Sequence, residues 1–143
     1  MRWFGNTLVS FPVARDGLSV IESLAPHGDS PPLHVHHTED EVFHLVSGRL
    51  TLKVGDEELE LAAGETALGP KGVPHTYRVD SEQARWLVVT TGGDFEAFVQ
   101  AASRPAEHPG LPAPAGPPTP EAQRELGELA GRFAIELVGP PLA

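Results

Sequence analysis

The sequence of 143 residues contains no cysteine and few basic residues. The missing thiols exclude disulfides, thiolate metal ligands and a cysteine nucleophile. Only 10 lysines and arginines stand against 20 aspartates and glutamates, which gives a formal net charge of −10. Such a charge disfavours nucleic acid and anionic membranes as partners, because both are themselves negatively charged. We therefore expect no nucleic-acid partner and no membrane partner.

Long apolar runs are missing as well. No stretch approaches the roughly 18 apolar residues that a membrane-spanning helix requires. The N-terminal segment MRWFGNTLVSFPVARDG lacks the apolar core and the small-residue cleavage site of a signal peptide. Together with the absence of cysteine, these features lead us to expect a cytoplasmic protein.

Short β-rich runs, separated by turn residues, fill most of the first hundred positions. Leu50, Leu52 and Val54 alternate with polar residues, which is typical of a strand with one buried face. Turn signals that recur about every 8–12 residues predict an all-β sandwich or barrel. The predicted strands include Thr7–Val13, Leu18–Leu24, Glu41–Val46, Leu50–Val54, His75–Val79 and Arg85–Thr91.

The composition changes after the predicted strands. Asp94–Ala102 has the pattern of a short helix, and residues 104–120 hold seven prolines, which predicts an extended connector and no strand. Thr119 can cap a second helix, whose apolar stripe comprises Leu126, Leu129, Phe133 and Leu137. We therefore predict one domain over residues 1–103, with a connector and a C-terminal helix and tail over 121–143. The stripe must dock on its own barrel or on a second subunit.

The segment PPLHVHHTEDE, from Pro31 to Glu41, concentrates histidines and acids. His34 and His36 would project from the same face of a strand, because residues two apart point the same way. Glu41 has the wrong parity for an unbroken strand, so the intervening residues must form a turn or bulge that resets the phase. Two imidazoles and a carboxylate would then converge. A solvated loop is the alternative, although its flanks are apolar and unpaired polar groups are costly there.

A second segment, GETALGPKGVPHTY, begins at Gly64. Together with the first, GDSPPLHVHHTEDEVFHLVSG, it closely resembles the paired motifs of the cupin superfamily, over residues 28–79. Val79 departs from the pattern, because the second motif has asparagine at that position. The positions that match are Gly28, His34, His36, Glu41, Gly48, Gly64, Pro70, Gly72 and His75.

The resemblance implies a cupin double-stranded β-helix, a jelly-roll barrel, here with a short C-terminal α-helical appendage. It also implies one divalent transition metal, held by His34, His36, Glu41 and His75. Three imidazoles and a carboxylate suit Fe, Mn, Ni, Co or Zn, and the ligand types alone do not select among them. The asparagine is not a usual ligand in the family, so Val79 affects a local turn contact and leaves the ligand set intact.

The layout of the chain also resembles small single-domain bacterial cupins of the quercetin-dioxygenase-like type. That resemblance implies a metal-dependent dioxygenase acting on a small enol or phenolic compound, with Glu41 as the catalytic proton acceptor. A small-molecule binding or sensing protein without turnover is a second hypothesis. A sugar isomerase or epimerase ranks third, because basic residues are scarce near the motifs. Small cupins commonly pair through their outer sheet, so we also expect a homodimer.

The other residues near the motifs are predicted either to lie outside the metal site or to form the core and the pocket wall. His37, Glu39 and Asp40 are predicted to be solvated in the phase-resetting turn, and His44 should lie on the strand face opposite Glu41. No role is expected for His27 or His108, and Arg78 should point outward. The residues predicted to form the core or the pocket wall are Phe43, Leu45, Leu52, Tyr77 and Trp86.

Overall fold

The computed structural model describes residues 1–143 and contains two antiparallel sheets. The elements along the chain are β1 (Arg2–Phe4), β2 (Thr7–Arg15), β3 (Leu18–Pro26), β4 (Leu33–His36), β5 (Glu41–Ser47), β6 (Arg49–Val54), β7 (Glu57–Ala62), β8 (Thr66–Gly69), β9 (His75–Val79), β10 (Gln83–Thr90), α1 (Asp94–Ala102), β11 (Arg104–Pro105), α2 (Pro120–Gly131) and β12 (Ile135–Gly139). One sheet has seven strands, in the order β11-β1-β2-β3-β10-β5-β8, and the other has five, in the order β12-β4-β9-β6-β7.

The hydrophobic core lies between the sheets and follows the alternation of the strands. In β10, Trp86 and Val88 are buried, whereas Leu87 between them is partly exposed. Leu45 of β5 and Leu52 of β6 are also fully buried in this cluster. The prediction of an all-β barrel with a short C-terminal helix is therefore confirmed.

The glycine between β5 and β6 allows the chain to turn tightly. Gly48 has a φ of 87°, a conformation that side chains disfavour. A Cβ at this position would collide with the Gln83 carbonyl and with the Ser81 hydroxyl. The close approach of this turn to the start of β10 therefore requires glycine.

The C-terminal segment differs from its sequence-based prediction. Thr119 caps α2 by accepting a hydrogen bond from the Ala122 N–H, but the helix ends at Gly131 and not at Leu137. Ile135–Gly139 forms strand β12, which pairs with β4, so the predicted continuation of the helical stripe is wrong. The β-branched Ile135 and Val138 favour a strand, and pairing with β4 supplies the hydrogen bonds that a helix would otherwise provide.

The proline-rich connector runs along the edge of the barrel. Its first two residues form β11, which pairs with β1, so the prediction that this stretch contains no strand is wrong at that point. Trp3 anchors the connector by donating a hydrogen bond of 2.8 Å to the Gly110 carbonyl and by stacking against Arg104 at 4.6 Å. The connector thereby carries α2 back onto the barrel of its own chain. No helix in the structure combines the length and the apolar character needed to cross a membrane.

Candidate metal site

Three strands bring the four predicted ligands to one point in the barrel. β4 supplies His34 and His36, β5 begins with Glu41, and β9 begins with His75. His34 and His75 are partners in register between β4 and β9. One ligand atom from each residue lies within 4.8 Å of the other three. This grouping could hold a metal ion.

The side chains at this point are closely packed and largely removed from solvent. His36, Glu41 and His75 are each 1–2% exposed, and His34 is half-buried on the cavity wall. His75 Nε2 lies 2.5 Å from Glu41 Oε2, and His36 Nε2 lies 2.9 Å from the same oxygen. Neither ring nitrogen of His36 makes a hydrogen bond, although both are buried and Nε2 lies beside the Glu41 carboxylate. A cation at the cluster would give His36 Nε2 a partner.

Backbone carbonyls orient two of the imidazole rings. His34 Nδ1 lies 2.7 Å from the Pro32 carbonyl, and His75 Nδ1 lies 3.2 Å from the Val73 carbonyl. Because a carbonyl only accepts hydrogen bonds, each contact places a proton on Nδ1 and leaves Nε2 as the ligand atom. Carbonyl contacts of this kind commonly fix the orientation of metal-binding histidines.

The protonation of the cluster reflects burial and mutual charge. Burial, assisted by the neighbouring His75, lowers the pKa of His34 to about 3. Burial also opposes ionisation of Glu41, but the imidazoles of His36 and His75 outweigh it and hold the pKa of Glu41 well below its usual range. A neutral His34 and an ionised Glu41 are the states that metal coordination requires.

The four ligands lie at an apolar cavity, and two of them form part of its wall. The cavity has a free volume of about 80 Å³, and 13 of its 19 lining residues are hydrophobic. Phe43, Tyr77 and Trp86, which the sequence predicts for the pocket or core, line this cavity together with His34 and Glu41. Leu45 and Leu52 are buried in the core and do not line it.

Residues from the last third of the chain complete the cavity wall. Phe95, Phe98 and Val99 of α1 line it, as do Leu126 of α2 and Ile135 of β12. The Phe95 ring lies 5.1 Å from the His36 ring, almost perpendicular to it. Sequence patterns did not identify these residues as pocket residues, because their apolar periodicity shows which face is buried and not what that face meets.

The prediction that Glu39 is solvated is wrong. Its side chain is 1% exposed, and its carboxylate accepts hydrogen bonds from the backbone N–H groups of Asp94 and Phe95, at 2.7 and 3.1 Å. Gly93 at the N-cap offers no side chain, so Glu39 satisfies the free donors at the start of α1. A Cβ at Gly92 would lie 2.5 Å from Glu39 Oε1, which shows how closely the carboxylate approaches this turn.

The other polar residues of the sequence analysis lie outside the cluster. His37 is exposed and contacts Glu136 at 3.0 Å, and Asp40 accepts a hydrogen bond from the Lys71 N–H. His44 contacts the Thr66 hydroxyl on the outer side of β5. His27 contacts backbone carbonyls, His108 packs against Trp3, and Arg78 pairs with Asp80 at the surface.

Val79 occupies the position at which the cupin motif has asparagine. Its side chain is fully buried in the core. Its backbone N–H donates to the Asp29 carbonyl at 3.0 Å, and its own carbonyl accepts from the Gly28 N–H at 2.9 Å. Backbone groups therefore hold this turn without an asparagine side chain.

Comparison with known proteins agrees with this geometry. The family model described as a cupin domain matches residues 20–90. The crystal structure of TT1209 from Thermus thermophilus is 30% identical, has a TM-score of 0.58, and is matched over 61% of this chain and 84% of that one. This chain belongs to the cupin superfamily. A structure described as a cupin superfamily protein, DSY2733 from Desulfitobacterium hafniense, shares its fold at 14% identity and a TM-score of 0.55, over 59% of this cupin and 76% of that chain.

A curated relative connects this cupin with one enzyme. Quercetin 2,3-dioxygenase of Bacillus subtilis (strain 168) is 35% identical over 85 residues, which are 57% of this chain and 25% of that protein. The matched regions span between a quarter and a half of the length of the curated relatives. This cupin is therefore similar to a part of that enzyme.

Proposed function

We propose that this protein binds one divalent transition metal and acts as a dioxygenase-type oxidoreductase on a small enol or phenolic compound. The main support for this proposal is that Glu41 belongs both to the four-residue cluster and to the wall of the apolar cavity. A compound in that cavity would lie directly beside the ligand atoms. The similarity to part of a quercetin 2,3-dioxygenase supports the reaction class.

The residues of the site have separate roles in this proposal. A divalent metal held by His34, His36, Glu41 and His75 would supply Lewis acidity and open coordination positions. Glu41 is the residue that would accept the substrate proton, because its carboxylate is the single acidic group that lines the cavity. Phe43 and Phe95 would keep water away from that proton.

The chemistry of the cavity wall favours an uncharged substrate. No lysine or arginine lines the cavity, and the carboxylate of Glu41 adds negative charge. A sugar phosphate would therefore find no cationic side chain in the cavity, which disfavours the isomerase alternative. Enols and phenols are neutral, and they carry oxygen atoms that can approach a metal.

Oxygen consumption tests this proposal. The full-length protein would be loaded separately with Fe, Mn, Ni, Co or Zn and offered flavonols and small enediols in air. We expect oxygen uptake with at least one redox-active metal, and at least a hundredfold loss of that rate in His36→Ala. His44→Ala, on the outer side of β5, serves as the matched control and should retain the rate.

The alternative of binding without turnover gives a different result. A metal-loaded protein that binds a compound of this panel, but leaves it unchanged by mass spectrometry with every metal, would overturn the dioxygenase proposal. That outcome would identify a binding or sensing cupin. Ligand release after unfolding, followed by its mass measurement, separates the two results.

A further inference from the structure

Trp86 presents a buried polar atom that nothing in the protein satisfies. The residue is 1% exposed and lines the cavity, and its Nε1 has no hydrogen-bond partner. Buried donors of this kind are uncommon in folded proteins, because an unpaired N–H loses its hydration without compensation. An acceptor atom of a bound molecule would satisfy it.

A second polar group borders the same cavity. Tyr77 and Thr7 line the cavity, and their hydroxyls donate to Asp29 Oδ2 at 3.3 and 3.2 Å. Asp29 is not among the cavity-lining residues and lies behind these two hydroxyls. Because the protons of both hydroxyls are directed to Asp29, their oxygen lone pairs remain as acceptors. This group therefore offers acceptors to a molecule in the cavity.

The residues that carry the donor and one of the acceptors, Trp86 and Tyr77, pack against each other at the cavity wall. The rings of Tyr77 and Trp86 are 5.0 Å apart between centroids, in an edge-to-face arrangement. Tyr77 belongs to β9 and Trp86 to β10, so the two sheets present them from opposite sides of the barrel. A ligand hydroxyl is the group that can accept from one of these residues and donate to the other.

We propose that Trp86 and Tyr77, supported by Thr7 and Asp29, form a hydroxyl subsite for an uncharged ring compound whose other oxygen atoms bind at the metal site. Trp86 Nε1–H donates to the ligand hydroxyl, and that hydroxyl donates to Tyr77 Oη. The remaining wall is apolar and contacts the faces of the ring. This inference rests on the proposed metal site and adds a requirement for a hydroxyl at the opposite end of the ligand.

Two single-ring probes that differ only in this hydroxyl test the inference. Kojic acid and allomaltol carry the same hydroxyketone, which chelates metals, but only kojic acid carries a hydroxyl on the substituent across the ring. Their dissociation constants would be measured calorimetrically with zinc-loaded full-length protein, since zinc does not undergo redox reactions. We expect kojic acid to bind about fivefold more tightly, the ratio typical of a net hydrogen bond.

Two variants assign this preference to the subsite. Tyr77→Phe and Trp86→Phe should each bring the ratio close to one while allomaltol keeps its affinity. Thr66→Val is the matched control, because Thr66 lies on the outer side of β8 and should keep the wild-type ratio. Zinc content and circular dichroism, measured for every variant, separate loss of the subsite from loss of folding. If Trp86→Phe does not fold, the ratio measured for Tyr77→Phe tests the proposal by itself.

The outcomes distinguish the two proposals. A zinc-loaded protein that binds both probes equally, or a ratio unchanged in both folded variants, would overturn the hydroxyl subsite alone. Zinc binding far below one ion per chain would overturn the proposed function and the subsite with it. If the zinc-loaded protein binds neither probe, both the subsite and the proposal that the bound metal keeps open coordination positions are overturned.

Discussion

Glu39 and Phe95 connect the turn between the metal-site strands with the helix that covers the cavity. Glu39 Oε2 accepts a hydrogen bond of 3.1 Å from the Phe95 backbone N–H, and the Phe95 ring lies 5.1 Å from the His36 ring. Thr38 adds a second link, because its hydroxyl donates to Asp94 at 2.6 Å. The turn that resets the strand phase therefore also positions α1 over the site.

Replacing Glu39 tests this link. Glu39→Ala leaves the partly buried N–H groups of Asp94 and Phe95 without acceptors, so we expect the free energy of unfolding in urea to fall by about 2 kcal/mol. Glu39→Gln keeps one acceptor oxygen and should lose less. Glu60→Ala, in the exposed β7, is the control and should change stability by less than about 0.5 kcal/mol. An effect of Glu39→Ala as small as that of the control would contradict the link.

The four-residue cluster predicts how metal content depends on its members. We expect His75→Ala and Glu41→Gln to reduce metal bound at equilibrium at least tenfold, because each removes one of the four protein ligands. Thermal unfolding checks the same point. Wild-type protein should gain about 2.7 kcal/mol of stability at free metal a hundred times the dissociation constant, and a chelator should abolish the gain. Equal metal content in His75→Ala and the control His44→Ala would refute the cluster as the site.

The lowered pKa of Asp80 should contribute to the pH dependence of stability. Burial opposes ionisation of Asp80, but hydrogen bonds from Thr51 and Arg78 outweigh it and hold its pKa below the ordinary 3.8. A lowered folded-state pKa stabilises the protein above the unfolded pKa, and this contribution is lost as the pH falls. The stability difference between wild type and Asp80→Asn should therefore be constant near about pH 6 and shrink toward about pH 3. A difference that grows on acidification would contradict the assignment.

Ala134 lies between α2 and β12 with a φ of 58°, a conformation that costs energy for any residue with a Cβ. Ala134→Gly removes this strain, and we expect the free energy of unfolding to rise by about 0.5–1 kcal/mol after the greater flexibility of glycine is deducted. Ala113→Gly, in the exposed connector and without positive φ, should lower stability slightly. Urea titration of both variants measures the contrast, and two equal shifts would argue against strain at Ala134.

The outer face of the seven-stranded sheet offers a surface for the homodimer expected from the sequence. Cross-strand pairing aligns one apolar row over five strands, made up of Val13, Val20, Val89, Val42 and Leu68. We propose that a second copy covers this row. Light scattering should give a dimer mass for wild type and a monomer mass for Leu68→Lys. Leu59→Lys, on the other sheet, should remain a dimer, and a monomeric wild type would refute the proposal.

The sequence by itself determined the strands of the barrel, and its resemblance to the cupin motifs predicted the four residues that the structure brings together. Strand alternation and turn residues are local properties, so they specify which face of each strand is buried without knowledge of its neighbours. The spacing from His34 to Glu41 likewise contains its own phase reset, and His75 follows a turn marked by Pro70 and Gly72. The local pattern was sufficient for the strands because it depends on residues near one another in the chain, whereas the motif resemblance was needed to group His75 with His34, His36 and Glu41.

Only the tertiary structure decided what closes the cavity and what Glu39 does. Glu39 meets the start of α1 more than fifty residues away, and Ile135 pairs with β4 across almost a hundred. The apolar periodicity of the sequence does not reveal such contacts, because the hydrogen-bond partner lies on another strand or helix. The same limit applies to Trp86 and Asp29, whose roles depend on what faces them across the barrel. Glu39 is thus a structural cap of α1, and the Trp86 indole N–H, which has no hydrogen-bond partner, is the group that we propose binds a ligand.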